Sequence, residues 1–204
     1  MRGFLQYPFD KEYIKLNIDV KDSTFNNLYP VHIKELAGQH WTPIAVAKMA
    51  AEYLAEKPNS KILDIGSGVG KFCMVGAAST KGMFFGVEQR ASLTKISKKI
   101  ADKHKITNVE FIHSNINEIS FSDYDAFYFF NSFYENIDTL SLIDNTVVPD
   151  KDLYFAYSEY VKEQLDKTPT GTRLVTYWSK WDEIPSSFNL IATDCNGLLN
   201  FWEK

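Results

Sequence analysis

The residues best suited to chemistry run from Ile62 to Phe72 and include Asp64, Gly66, Ser67, Gly68 and Gly70. An apolar run there enters a glycine-rich turn that opens a helix. Glycines permit backbone conformations closed to other residues and let a ligand approach the chain directly. Such a turn alone could hold a dinucleotide, a phosphate or an adenosine. The spacing is G-x-G-x-G, not the G-x-G-x-x-G of dinucleotide folds, and no G-K-[ST] ending follows. Asp64 precedes Gly66 by two positions, where its charge would repel a pyrophosphate. It suits an ammonium group instead, directly or through a water. This charge logic favours S-adenosylmethionine over a nicotinamide dinucleotide.

Further candidates stand at the ends of the following apolar runs. Glu88 closes Phe84 to Val87 about 20 positions past the turn, where an acid accepts hydrogen bonds from ribose hydroxyls. Gln89 beside it is taken as cofactor-binding too. Nicotinamide cofactors use the same acidic device, so Glu88 does not separate the two. Ser114 and Asn115 follow the third run, where an adenine contact is expected. Asn131, Ser132, Phe133 and Tyr134 close the fourth, at the edge where doubly wound sheets place ligands. Asn131 is a catalytic candidate that would orient an acceptor nitrogen through its side-chain carbonyl, and it is placed with the cofactor-binding residues as well. Tyr134 is the second, by stacking or hydrogen bonding. Glu135 could act as a base, although a surface glutamate fits the pattern better. Trp41 is either a cation–π partner for a sulfonium or a core aromatic, and Thr42 next to it is placed with the cofactor.

The elements that must position these groups alternate. Strands are expected at Lys61 to Ile65, Met83 to Glu88, Val109 to His113 and Ala126 to Asn131. Helices fall between them, one from near Gly70 and one from Ala91 to His104. The latter carries Leu93, Ile96 and Ile100 on one face and turns Lys95, Lys98, Lys99 and Lys103 to water. Such spacing demands crossovers and a parallel, doubly wound α/β sheet with helices on both faces. Ahead of it, Thr42 and Pro43 look like a helix start running to about Glu56, with the Thr42 hydroxyl as cap. Behind it come a helix over Leu153 to Leu165 and a strand at Arg173 to Tyr177. Two further strands, Phe188 to Asp194 and Leu198 to Trp202, flank Cys195, Asn196 and Gly197, and Asn-Gly there signals a hairpin. Residues 1–40 read as an irregular or short-helical cap, and residues 41–204 as the main domain.

Bulk properties narrow the classes. The chain has 204 residues, 45% of them hydrophobic, which fits one domain with an N-terminal elaboration. Net charge is −4, with no dominant basic block, so there is no strong nucleic-acid signature. Cys73 and Cys195 read as reduced thiols, not a disulfide framework. His32, His40, His104 and His113 have no metal-ligand spacing, and no metal is expected. The segment Met1 to Leu16 lacks the apolar core of a signal peptide, and no run is long enough to span a bilayer. A cytoplasmic protein without membrane partners is expected.

With these residues placed, the chain resembles class I (Rossmann-like) S-adenosylmethionine-dependent methyltransferases over about residues 38–204. Asp64 to Gly70 is similar to their first motif and Glu88 to their ribose-binding acid. The resemblance implies a seven-stranded sheet of order 3-2-1-4-5-7-6 with strand 7 antiparallel. It also implies that an N-terminal extension, here Phe25 to Trp41, covers the site. Gly38 to Pro43 resembles the G-Q-x-[aromatic]-T-P segment of amino-group DNA methyltransferases, which helps enclose the methionine moiety. Those enzymes carry [DN]-P-P-[YF] after the fourth strand, whereas Ser132 and Phe133 stand here in place of both prolines. Asp64 to Gly70, Gly86 to Glu88 and Phe130 to Phe133 resemble non-SET histone-lysine methyltransferases, in the cofactor half only. Asn115 stands where many members have Asp. The expected function is methyl transfer from S-adenosylmethionine, with S-adenosylhomocysteine as product, to an unidentified acceptor. A nitrogen of a protein side chain or small molecule is favoured. The alternatives are a cofactor-binding module without catalysis and a nicotinamide-dependent oxidoreductase.

Overall fold

The computed structural model describes residues 20–138 and 142–204. The first 19 residues of the expected cap therefore lie outside the described residues. Seven strands form one sheet in the order β3-β2-β1-β4-β5-β7-β6. They are β1 (Lys61–Ile65), β2 (Met83–Glu88), β3 (Val109–His113), β4 (Ala126–Phe129), β5 (Arg173–Tyr177), β6 (Asn189–Asp194) and β7 (Leu199–Glu203). The first five pair in parallel, and β7 runs antiparallel to both β5 and β6. Strand order and the antiparallel seventh strand are those expected.

Central strands are buried on both faces, which is why they read as continuous apolar runs. In β4 the side chains alternate between two cores. Ala126 and Tyr128 join Ile62, Phe84 and Phe111 on one face, and Phe127 and Phe129 join Leu63, Ile65 and Leu174 on the other. The first face is covered by α4 (Ile44–Leu54), α5 (Lys71–Ser79) and α6 (Ala91–Lys103). The helix Lys151–Asp166, α7, covers the second through Tyr154, Tyr157, Val161 and Leu165. On α6, Leu93 and Ile100 are buried while Lys95, Lys98, Lys99 and Lys103 are exposed, as the periodicity requires. β6 is an edge strand exposed along its whole length. The hairpin turn places Cys195, Asn196 and Gly197 at φ 51°, 57° and 85°.

Two expectations shift. β4 ends at Phe129, not Asn131, because Asn131 lies at φ 43° and its N–H turns to Ser179 Oγ (3.3 Å). Thr42 does not cap α4. Its hydroxyl pairs with Tyr128 OH at 2.9 Å, and the Ile44 N–H is capped by Asp22 Oδ1 at 3.1 Å.

Asp22 belongs to α1 (Asp22–Asn26), which with α2 (Val31–Lys34) and α3 (Ala37–His40) makes up the described part of the cap. Phe25, Tyr29, Ile33 and Trp41 share the core cluster of α4 and α5. Asp22 also pairs with Lys71 Nζ, which reaches Asn26 Oδ1 at 3.1 Å, and Tyr29 OH donates to the Val69 carbonyl at 3.0 Å. Among the described residues, no helix is long and apolar enough to cross a membrane.

Candidate functional site

The carboxyl ends of β1, β2 and β4 open onto one cavity of about 540 Å³. The turn after β1 supplies Gly66 and Gly68 to its wall, and Gly68 lies at φ 53° with open space where a Cβ would stand. Glu88, Gln89 and Asn115 line the same cavity from the ends of β2 and β3. Trp41, Asn131 and Tyr134 also line it. Eight of the expected site residues therefore meet in one place.

Four others do not. Gly70, at φ 76°, starts α5, and a side chain there would overlap the Phe111 ring. Its glycine serves packing of the turn on β3. Thr42, Asp64 and Ser67 line a small recess of about 20 Å³ with Lys71 and Tyr128, which adjoins the cavity through the shared residues His40, Trp41, Gly66, Val69 and Phe130. Among the described residues, Ser67 Oγ has no hydrogen-bond partner there, although it is buried. Asp64 is 4% exposed and accepts from Cys73 Sγ at 3.3 Å. Burial pushes its pKa up to about 7; the Cys73 bond opposes this and the Glu88 charge adds to it. Lys71 in the same recess has its pKa lowered by burial, with Asp22 acting against it.

Glu88 anchors the turn from the next strand. Oε2 accepts from the Gly68 N–H at 3.0 Å and Oε1 from the Arg90 N–H at 2.8 Å. Burial raises its pKa, while these bonds and the Arg90 charge hold it back. A carboxylate has about four acceptor sites, so both oxygens keep capacity for ribose hydroxyls. The Arg90 guanidinium grips Glu135 bidentately at 2.8 and 2.7 Å and reaches Asp144 at 3.0 Å. Glu135 is therefore no surface residue: it is 8% exposed, and both of its oxygens are committed to Arg90. The expectation of a surface glutamate fails because its partner lies 45 positions earlier in the chain.

Trp41 is buried, with its ring 4.6 Å from that of Tyr29 and Lys71 Nζ 5.8 Å from its centroid. It is thus a core aromatic that also reaches the cavity wall. The Asn131 side-chain amide makes no hydrogen bond among the described residues, and Tyr134 is 37% exposed. Sequence reasoning passed over His40, Arg90 and Trp178, all of which line the cavity. Burial lowers the His40 pKa, with Glu135 raising it and Arg90 lowering it further. Trp178 follows directly on β5, so the rule that ligands gather at carboxyl edges could have found it.

The sheet order, the reversed seventh strand and a glycine-turn cavity define the class I S-adenosylmethionine-dependent methyltransferase architecture. Residues 56–194 match the family described as "Methyltransferase domain". That is more than half of the chain, and the chain belongs to this family. A comparison with curated proteins finds no match.

Solved structures share the fold. TrmN from Thermus thermophilus aligns with a TM-score of 0.55 at 12% identity, over 84% of this chain and 51% of that one. An RNA methyltransferase from Salinibacter ruber, in complex with S-adenosyl-L-homocysteine, aligns at 0.52 and 20% identity, over 80% and 91%. The [4+2]-cyclase SpnF aligns at 0.50 and 14%, over 68% and 47%. The chain thus spans about half the length of TrmN and of SpnF. A cyclase among these neighbours illustrates that the reaction is decided by the site and not by the fold.

The residues present fit S-adenosylmethionine. The open face at Gly68, the acceptor capacity of Glu88 and the cavity reaching Asn115 match its adenosine half. The Ser67 hydroxyl, unpartnered among the described residues, and the Asp64 carboxyl in the adjoining recess offer polar partners near the Gly66 end.

Proposed function

We propose that this protein transfers a methyl group from S-adenosylmethionine to a nitrogen of its acceptor. The observation that carries this reading is one cavity with an adenosine-type end (Gly68, Glu88, Asn115) and an unengaged amide, Asn131, at the edge of β4. Glu88 and Gln89 would hold the ribose, Asn115 the adenine edge, and Gly66 and Gly68 the backbone approach. Asp64, Ser67 and Thr42 would act from the small adjoining recess, with Asp64 supplying charge toward the ammonium. Gly70 keeps the turn seated on Phe111.

When bound, the cofactor supplies an electrophilic methyl on a sulfonium, and the protein supplies alignment and a water-poor pocket. Asn131 would orient the acceptor nitrogen through its side-chain carbonyl, leaving the lone pair to point inward. Tyr134 would hold the acceptor from the following turn. Residues 1–40 form the cap in this reading, with 41–204 as the catalytic domain. Support comes from Leu36 to Trp41 lining the cavity and Asp22 pairing with Lys71.

The test is transfer of a radiolabelled methyl group to pools of small amines, heterocycles and proteins. Label on nitrogen, lost in Asn131→Ala and retained in Lys98→Ala, is expected. Label on oxygen or carbon, or no label in any pool, would overturn the nitrogen assignment.

A further inference from the structure

Trp178 is the cavity residue that packing explains least. It follows Tyr177 at the end of β5, lines the cavity and is 55% exposed. Its backbone lies at φ 54°, a left-handed conformation that bulky side chains enter only against steric strain. Little ring packing offsets that strain, since the nearest ring, Tyr177, stands edge-on at 6.5 Å.

The neighbouring strand repeats the arrangement. Asn131, past the end of β4, lies at φ 43° and lines the same cavity. One hydroxyl ties the two loops together. Ser179 Oγ accepts from the Asn131 N–H at 3.3 Å and is within donating distance of the Phe129 and Tyr177 carbonyls at 3.2 and 3.3 Å. Two left-handed backbone positions past the ends of adjacent strands, the one at Trp178 strained for its side chain, are thus tied together on the wall of one cavity. Strain of this kind clusters at sites that present a side chain, and of the non-glycine residues at positive φ among those described, Asn131 and Trp178 are the two that line the cavity.

We propose that Trp178 is the wall on which the methyl acceptor stacks, and that the acceptor is a small molecule bearing a flat, nitrogen-containing aromatic ring. This rests on the methyltransferase reading above and deepens it. A tryptophan face gains most from a flat ring in offset or edge contact. Beside it, the Asn131 amide presents both a donor and an acceptor, the pair a ring nitrogen and its amino group require. Charge sets the remaining limit. Among the described residues the cavity wall sets Arg90 against Glu88 and Glu135, a surplus of carboxylate that disfavours phosphate-bearing acceptors. A neutral or cationic ring is therefore assigned.

The test uses the full chain saturated with S-adenosylhomocysteine and titrated with three probes by calorimetry and saturation-transfer NMR. 4-Aminoquinoline carries the ring, n-butylamine the amine without the ring, and a short single-stranded oligonucleotide the ring on a polyanion. The loaded protein should bind 4-aminoquinoline most tightly. Trp178→Ala should weaken that binding by about tenfold or more, about 1.4 kcal/mol, and Trp178→Phe should retain most of it. Ser179→Ala, a change in a positioning residue, should weaken it less. S-adenosylhomocysteine affinity should stay unchanged in all three variants. Unchanged ring binding in Trp178→Ala, no ring binding to the loaded protein, or preference for either other probe would overturn the proposal. Failure of the wild-type chain to bind S-adenosylhomocysteine would be a different result, removing the methyltransferase reading and this proposal with it.

Discussion

Replacing Arg90 with Leu removes the cation from a buried cluster and leaves its carboxylates behind. The Arg90 side chain is 2% exposed, and the side chain of its main partner Glu135, 2.7 Å away, is 7% exposed. Glu88 lies 3.9 Å away and is equally buried, whereas Asp144 is 31% exposed and can turn to water. Breaking a buried pair by deleting one partner costs about 3–5 kcal/mol, because the remaining charge is uncompensated. For a domain of this size that corresponds to a melting point lower by roughly 6–20 °C. The double variant Arg90→Leu with Glu135→Leu removes both charges, and apolar replacement of a buried pair is often neutral. It should recover most of the loss. Urea unfolding of the wild type, both single variants and the double variant gives the coupling directly, provided the slope with denaturant stays constant. A loss below about 1 kcal/mol in Arg90→Leu, against the 3–5 expected, would refute the reasoning. So would a double variant as unstable as the sum of the singles.

The two later glycines of the turn should respond differently. Gly68→Ala keeps the fold at a backbone cost of about 1–2 kcal/mol but intrudes on the cavity, so S-adenosylhomocysteine affinity should fall. Gly70→Ala adds overlap with Phe111 to the same strain, and its urea midpoint should drop further. Asp64 makes the empty protein pH-sensitive. Its folded pKa, about 7, is raised above the ordinary carboxylate value, so the folded state binds the extra proton. Stability should therefore fall as pH rises from about 4 to about 7, by on the order of 4 kcal/mol from this group. Asp64→Asn should flatten that slope in urea midpoints taken across the window; an unchanged slope would contradict the assignment. Asp22→Ala removes the cap of Ile44 and the carboxylate facing buried Lys71. A loss of roughly 2–4 kcal/mol is expected, with faster hydrogen exchange across residues 22–40; protection unchanged there would show that Asp22 does not hold these helices on α4 and α5.

The parts of the fold legible in the sequence were those fixed by local pattern. β1, β2, β3 and β5 keep the expected bounds because apolar runs end where their partners end. The hairpin at Asn196 and Gly197 follows from turn chemistry alone. What failed depended on distant partners. Thr42 is drawn to Tyr128, 86 positions away, and Asp22 caps α4 from 22 positions upstream, so the local cap signal misled. Glu135 looked exposed because nothing nearby in sequence announces Arg90. Gly66, Gly68, Glu88 and Asn115 converge on the cavity, while Asp64 and Ser67 line the small recess adjoining it. Residue spacing placed the loop but could not tell which side of it each chain faces.

The most direct measurement is calorimetric titration of the purified chain with S-adenosylmethionine, S-adenosylhomocysteine and NAD, repeated on Glu88→Ala and Asp64→Ala. The account predicts that the first two bind and NAD does not. It also predicts that Glu88→Ala, which loses both the ribose acceptor and the anchor on Gly68, abolishes binding. Asp64→Ala should weaken it less, since its carboxyl lines the small adjoining recess and not the adenosine end of the cavity. Binding of NAD alone, or equal affinity for S-adenosylhomocysteine in wild type and Glu88→Ala, would contradict the assignment of this cavity.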